Sequence, residues 1–227
     1  MKNVKEHFDE EAKEFDNAIL KLIPHYNDMI TSMISTIPYN DSDRFNVLDL
    51  GSGTGNVSLA LKQKFQYASI SCIDIAENMI EMAKLKLDNY NDIEYYTGDF
   101  SEFKFERKYD VVVSSLALHH IKTDEEKKEF YIKIYDLLNP GGIFINSDSV
   151  LGSNKKLNNL YTEKWIEFLL GSITLEEVEE KWLPQSKAED FPAPLMDHLK
   201  WLGESGFERQ DVIWKYYGWA VYCGTRK

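Results

Sequence analysis

The stretch Asn46-Val-Leu-Asp-Leu-Gly-Ser-Gly-Thr-Gly-Asn-Val-Ser-Leu-Ala-Leu61 decides how the rest of the chain is read. Val47 to Leu50 is an apolar run of the length of a buried parallel strand. Gly51, Gly53 and Gly55 follow at alternate positions, and Val57, Ala60, Leu61 and Phe65 then recur at helical spacing. A strand that turns through glycines into a helix brings bare backbone N–H groups and the positive end of a helix to one point. With no Cβ in the way, a ligand approaches the main chain closely there. Two phosphate-binding patterns are excluded. The dinucleotide fingerprint G-x-G-x-x-G needs its third glycine where Asn56 stands, and no G-x-x-x-x-G-K-S/T string follows the strand.

Working outward, Ala68 to Asp74 reads as a second strand ending in an acid about twenty residues past the glycines, where a ribose hydroxyl pair is held. A carboxylate accepts one hydrogen bond from each hydroxyl. The bland reading of Asp74 is a helix-start carboxylate, because a helix carrying Met79, Ile80, Met82, Ala83 and Leu87 follows. Ile93 to Thr97 is a third strand, ending at Gly98-Asp99-Phe100. Tyr109 to Ser115 is a fourth, apolar enough to be central, with Leu116-Ala-Leu-His119-His120-Ile121 leaving its carboxyl end. Thr123 to Glu126 is a capping box. Asn139-Pro-Gly-Gly142 ends the helix that it starts, and Ile143 to Asp148 is a fifth strand.

The string D-x-G-x-G-x-G, Asp49 to Gly55, resembles the first motif of class I S-adenosylmethionine (SAM) dependent methyltransferases, and the later landmarks agree with it in order. The resemblance covers roughly residues 8–148. It implies a Rossmann-like fold: a seven-stranded, mostly parallel sheet with an antiparallel C-terminal hairpin, a helical N-terminal lid and a helical insertion after strand five. It implies SAM as cofactor, held by Phe15, Tyr26, Asp49, Gly51, Ser52, Gly53, Gly55, Asp74, Ile75, Met79, Gly98, Asp99, Phe100 and Ser115. In the family the acid matching Asp99 points at the adenine amino group and the next residue covers the ring. The bland reading of Gly98-Asp99 is a simple turn. Ala12-x-x-Phe15-Asp16 is similar to a family motif whose aromatic residue reaches the cofactor. Ile23-Pro24-x-Tyr26 resembles the carboxy-SAM synthase branch, whose enzymes act in tRNA modification.

One methyltransferase domain over residues 1–227 is expected: a helical lid over 1–43, a SAM-binding core over 44–150, a helical cap over 151–191, then a last helix and hairpin over 192–227. The lid helices carry Phe8, Ala12, Phe15, Ile19 and Leu22, then Tyr26, Met29, Met33 and Ile37 after the break at Pro24. One helix can both pack on the sheet and close the site. The cap carries a stripe of Leu157, Leu160, Tyr161, Trp165, Phe168 and Leu169.

Methyl transfer from a sulfonium is in-line displacement, so the enzyme mainly aligns a nucleophile and excludes water. A base near pKa 7 helps a phenol, thiol or amine acceptor. His119 and His120 are the nearest candidates, each set against the reading of a satisfied core histidine. Asp148, His119, His120 and His198 have no ligand-motif spacing, so no metal is expected. The net charge of −12 disfavours nucleic acid and points to a small-molecule acceptor. Large aromatics such as Tyr26, Tyr161, Trp165, Trp182 and Tyr216 suit its pocket. A carboxy-SAM synthase-like enzyme, or a non-catalytic SAM-binding protein, is the alternative. The former needs a cation for the extra carboxylate, with Arg209 and Arg226 the arginines of the last fifth. Cys72 and Cys223 read as free core thiols. The charged N-terminus is unlike a signal peptide and no run reaches membrane-spanning length, so a cytoplasmic protein with no membrane partner is expected. Oligomeric state is not readable.

Overall fold

The computed structural model describes residues 15–227. The expected lid residues Phe8 and Ala12 lie outside them. Helices α1 (Phe15–Leu22) and α2 (Tyr26–Thr36) precede β1 (Asn46–Leu50). Then α3 (Asn56–Lys64), β2 (Ser69–Asp74), α4 (Glu77–Lys86), β3 (Ile93–Thr97) and β4 (Tyr109–Ser115) follow. A 3-10 turn at Leu118–His120 leads to α5 (Asp124–Leu137) and β5 (Leu138–Ser149). The segment after β5 holds α6 (Lys155–Leu169), α7 (Leu175–Glu177), a π-helical turn (Val178–Trp182) and α8 (Leu183–Glu189). Helix α9 (Leu195–Glu204) and the hairpin β6 (Glu208–Tyr216) and β7 (Trp219–Thr225) end the chain.

The strands form one seven-stranded sheet in the order β3-β2-β1-β4-β5-β7-β6. The first five are parallel, and β7 runs antiparallel to both β5 and β6. This is the expected Rossmann-like architecture. The order reverses between β1 and β4, so their carboxyl ends flank the crevice where open α/β sheets bind ligands. Alternation along the strands builds a core on each face. Val47, Val111, Val113 and Ile145 point to one side, where α1, α2 and α3 bury Ile19, Met29, Met33 and Leu61. Leu48, Leu50, Val112 and Phe144 point to the other, under Phe130, Ile134, Trp201 and Leu202 of α5 and α9. Each such side chain contributes roughly 1.5–3 kcal/mol on full burial.

Two ends differ from the sequence reading. Strand β5 starts at Leu138 rather than Ile143, because Leu138 already pairs with Tyr109. The Asn139-Pro-Gly-Gly142 turn then rejoins the ladder through Gly141 N to Arg226 O (3.0 Å) and Arg226 N to Gly142 O (2.8 Å). The stripe on α6 is covered only in part: Leu169 is buried and Leu160 exposed. Among the described residues no helix is long and apolar enough to cross a membrane.

Helix α1 is fastened to the glycine turn by a polar latch. Asp16 Oδ1 accepts from Thr54 Oγ1 (2.6 Å) and Asn56 Nδ2 (3.0 Å), and Asp16 Oδ2 pairs with Lys86 Nζ at 2.7 Å. Burial pushes the Asp16 pKa up, but the Lys86, Thr54 and Asn56 bonds outweigh it and the pKa is lowered. The latch is therefore whole at neutral pH and fails only as pH falls below the ordinary carboxylate value of about 4. Asp16→Asn keeps the shape and removes the charge. Its expected outcome is faster hydrogen exchange over residues 15–22 with no change in β1 or β4, read by mass spectrometry at pH 7.

Candidate active site

The turn after β1 is shaped by steric demands that differ from glycine to glycine. Gly51 has φ +68°, and a Cβ there would lie 2.4 Å from Ala117 Cβ, so this glycine lets β1 approach the loop leaving β4. At Gly55 a Cβ would press on Ala83 of α4 and on Leu87 just after it. Gly53 is the exception. A Cβ there meets nothing within 4 Å, because the position faces a cavity.

Ten of the fourteen residues expected to hold the cofactor line that cavity: Phe15, Tyr26, Gly51, Ser52, Gly53, Asp74, Ile75, Met79, Phe100 and Ser115; the catalytic candidate His120 lines it too. Asp49, Gly55, Gly98 and Asp99 are not among its lining. Asp49 lies fully buried behind the turn, with Oδ2 accepting from Ser58 Oγ at 2.7 Å and Oδ1 lacking a protein partner. Burial, with Asp74 nearby adding to it, pushes the Asp49 carboxyl up to about 7 against the Ser58 bond. Asp99 serves its own turn, accepting from Ser101 N (2.9 Å) and Ser101 Oγ (2.6 Å). Asp74 is held by two backbone donors, Gly53 N and Ala76 N, both at 2.9 Å, so it also performs the helix-start role. The sequence reading missed Thr54, Asn56, Val57, Leu116 and Ala117, which complete the wall. Thr54 and Asn56 stand inside the glycine stretch, which was signal enough.

A second cavity of about 920 Å³ adjoins the first, sharing Phe15, Leu116 and His120 with it. Its other walls come from α1, from Trp165 of α6, from Trp182, and from Ser186 and Glu189 of α8, with Trp219 of β7. The insertion after β5 thus roofs a chamber beside the glycine turn. Its lower end holds the two histidines.

The histidines have opposite electrostatics. His119 Nδ1 is bonded to Asp148, and His119 Nε2 lies 3.4 Å from Asp190. Burial alone would lower the His119 pKa, but Asp148 and then Asp190 outweigh it and hold the ring protonated, with a pKa raised to about 10. His120 is pushed down to about 4, first by burial and then by the neighbouring His119 charge. The Glu189 carbonyl lies 3.0 Å from His120 Nδ1. A carbonyl only accepts, so Nδ1 carries the proton of the neutral ring and Nε2 the lone pair. His119, His120 and Asp190 also offer possible metal-ligand atoms within 4.8 Å of one another, a convergence that sequence spacing does not show. Charge pairing on both nitrogens of His119 accounts for it.

Behind His119 runs a buried network. Asn146 Nδ2 donates to Asp148 (3.3 Å) and to Tyr222 Oη (2.7 Å), which meets Tyr131 Oη (2.9 Å), itself 2.6 Å from His198 Nδ1. His198 belongs to this network under α9, away from the chamber.

His119→Ala leaves two carboxylates without their counter-charge, and the expected cost is about 3–5 kcal/mol in urea unfolding at pH 7. The folded pKa lies above the unfolded value of about 6.5. The contribution is thus full below pH 6.5 and lost as pH rises through 10, so the two unfolding curves converge on the alkaline side. The two glycines fail differently on substitution. Gly51→Ala is expected to cost about 1–3 kcal/mol by overpacking on Ala117. Gly53→Val projects into the cavity and is expected to cut S-adenosylhomocysteine affinity at least tenfold by calorimetry, with a loss of stability that comes from a β-branched residue at φ +54° and not from a clash.

Residues 47–142 match the family model described as a methyltransferase domain. The chain is 26% identical over 223 residues to the carboxy-S-adenosyl-L-methionine synthase of Nautilia profundicola, covering 96% of this chain and 94% of that protein. It is 25% identical over 183 residues to malonyl-[acyl-carrier protein] O-methyltransferase 2 of Ilyobacter polytropus, covering 79% and 67%. Among solved structures, a DhpI-SAM-HEP complex superposes with a TM-score of 0.66 at 17% identity, covering 98% of this chain and 95% of that one. The matched segment runs from β1 into β5, with the sheet order built around it, so residues 47–142 are a methyltransferase domain of the class I SAM-dependent kind.

Proposed function

We propose that this enzyme transfers a methyl group to a small organic acceptor bound in the second cavity. The observation that carries the reading is the shared wall: the two chambers meet at Phe15, Leu116 and His120. A ligand in one is then within reach of a ligand in the other, under the roof made by α1, α6 and α8.

The residues of the first cavity fit SAM. Behind the turn, the partnerless, buried Asp49 oxygen suits an ammonium group reached through a water. Asp74 at the end of β2 suits a ribose, and Ile75, Met79 and Phe100 offer apolar surface for a base. When bound, SAM supplies an electrophilic methyl on a sulfonium. The protein then orients the acceptor and keeps water out, which in favourable cases is worth roughly 7–11 kcal/mol. His120 presents a neutral ring to the junction, able to accept a proton or hydrogen bond from the acceptor. His119, held protonated between two carboxylates, is a positioning residue and not a base.

A second reading, a carboxy-SAM synthase-like reaction, is supported by the full-length match to the Nautilia profundicola protein. It needs a cation facing the extra carboxylate. Arg226 is committed to the carbonyls of Tyr135, Asp136 and Leu138. Arg209 is on β6 and lines neither chamber. Among the described residues lining both chambers none is Lys or Arg, which favours plain methyl transfer.

The test incubates the protein with methyl-labelled SAM and two pools, one of total tRNA and one of small phenols, amines and thiols. Label is expected in the small-molecule pool. Label in tRNA alone would overturn the proposal. Because His120 stays neutral well below pH 6, the rate should show no limb of His120 origin between pH 5 and 8.

A further inference from the structure

The second cavity has a chemical character that narrows its acceptor. Its side walls are aromatic, with Trp165 and Trp219 6.5 Å apart between ring centroids, and Phe15 and Trp182 beside them. The Trp165 N–H is bonded to the Leu22 carbonyl (2.8 Å) and the Trp182 N–H to Glu177 (3.0 Å). What these rings offer a ligand is therefore apolar and π surface. The floor is acidic: Glu189 and Asp190 both line it, and Asp148 is buried just behind His119. The His119 imidazolium stands between Asp148 and Asp190, the Lys127 ammonium also acts on Asp148 from behind the chamber, and Glu189 is met by the neutral Gln185 Nε2 at 3.4 Å. No described lining residue is Lys or Arg. Lys181 lies on the Trp182 ring, 4.1 Å from its centroid, and is not part of the lining. Aromatic walls beside carboxylates that outnumber their cations attract cations and repel anions.

We propose that the second cavity takes a primary or secondary amine carried on a small aromatic body, making the reaction an N-methylation. The inference rests on the methyl-transfer reading above and names its substrate class. Its chemistry balances with the cofactor already assigned. The amine, bound as its ammonium, first loses one proton to solvent; the lone pair so freed forms the new N–C bond while the S–C bond of SAM breaks, its electron pair staying on sulfur. The positive charge moves from sulfur to nitrogen, and the ammonium formed loses a proton to solvent after release. A site that favours positive charge on the acceptor is more favourable in the transition state than before it, which is the condition for lowering the barrier. An acceptor carboxylate would instead meet Glu189 and Asp190. Asp190 is fixed for this role by the end of α8: Ser186 Oγ donates to its Oδ2 at 2.8 Å, and Phe191 N bonds the His119 carbonyl at 2.8 Å.

The test uses the full chain loaded with S-adenosylhomocysteine and three probes of one shape: phenethylamine, 2-phenylethanol and 3-phenylpropanoate. Calorimetry is expected to show the amine binding at least tenfold more tightly than the carboxylate, with the alcohol between. Glu189→Gln is expected to reduce that preference at least threefold while leaving S-adenosylhomocysteine affinity as it was. With SAM in place of its product, mass spectrometry should find N-methylphenethylamine. Carboxylate bound as well as the amine, or none of the three bound by a chain that does hold S-adenosylhomocysteine, overturns the amine assignment alone. A chain that binds no S-adenosylhomocysteine overturns the methyl-transfer reading beneath it as well.

Discussion

His119 sits between two carboxylates that come from different layers of the fold. Asp148 belongs to β5 and is almost wholly buried, while Asp190 arrives from the roof at the end of α8. Removing two such groups from water is unfavourable unless a positive charge is held between them. The imidazolium therefore ties the roof to the sheet at one point, and its charge adds to the burial that keeps the neighbouring His120 ring neutral. The acidity of the chamber floor and the placement of α8 follow from that arrangement.

Much of this was legible in the chain, and the reasons are local. Apolar runs such as Val47 to Leu50 and Val111 to Val113 can only be strands buried on both faces. The glycine turn, the Thr123 capping box and the Gly218 hairpin each carry their geometry in a few neighbouring residues. The box at Thr123 forms in both directions, with Glu126 N bonding Thr123 Oγ1 at 3.2 Å and Thr123 N bonding Glu126 at 3.0 Å. The sheet order needed the family likeness as well, since strands do not announce their neighbours.

The electrostatic centre was not legible. His120 and Glu189 meet across 69 positions of sequence, and nothing in the run Ala188-Glu-Asp-Phe191 distinguishes its acids from the solvated charges elsewhere in the insertion. From sequence the two histidines were equivalent candidates for a base. They differ only because Asp148 and Asp190 both converge on one of them. The π-helical turn at Val178–Trp182 was equally hidden, since Val178 has to be buried there and a regular helix from Thr174 would carry the same residues. Asp16 shows the converse case. In the sequence it stands only as part of the Ala12-x-x-Phe15-Asp16 string, while its structural job is to bind Thr54, Asn56 and Lys86.

That latch gives α1 a part in both chambers. Phe15, next to Asp16, lines both cavities, and Ile19 and Leu22 face the second. The last turn of α1 is in turn held by the roof, through the Trp165 indole N–H on the Leu22 carbonyl. Residues 15–22 are thus fixed at one end to the glycine turn and at the other to α6, and the burial of Ile19 holds them to the sheet. A ligand that stabilises either attachment also orders a wall of the other chamber. By linkage, the second ligand must strengthen the binding of the first by the same factor.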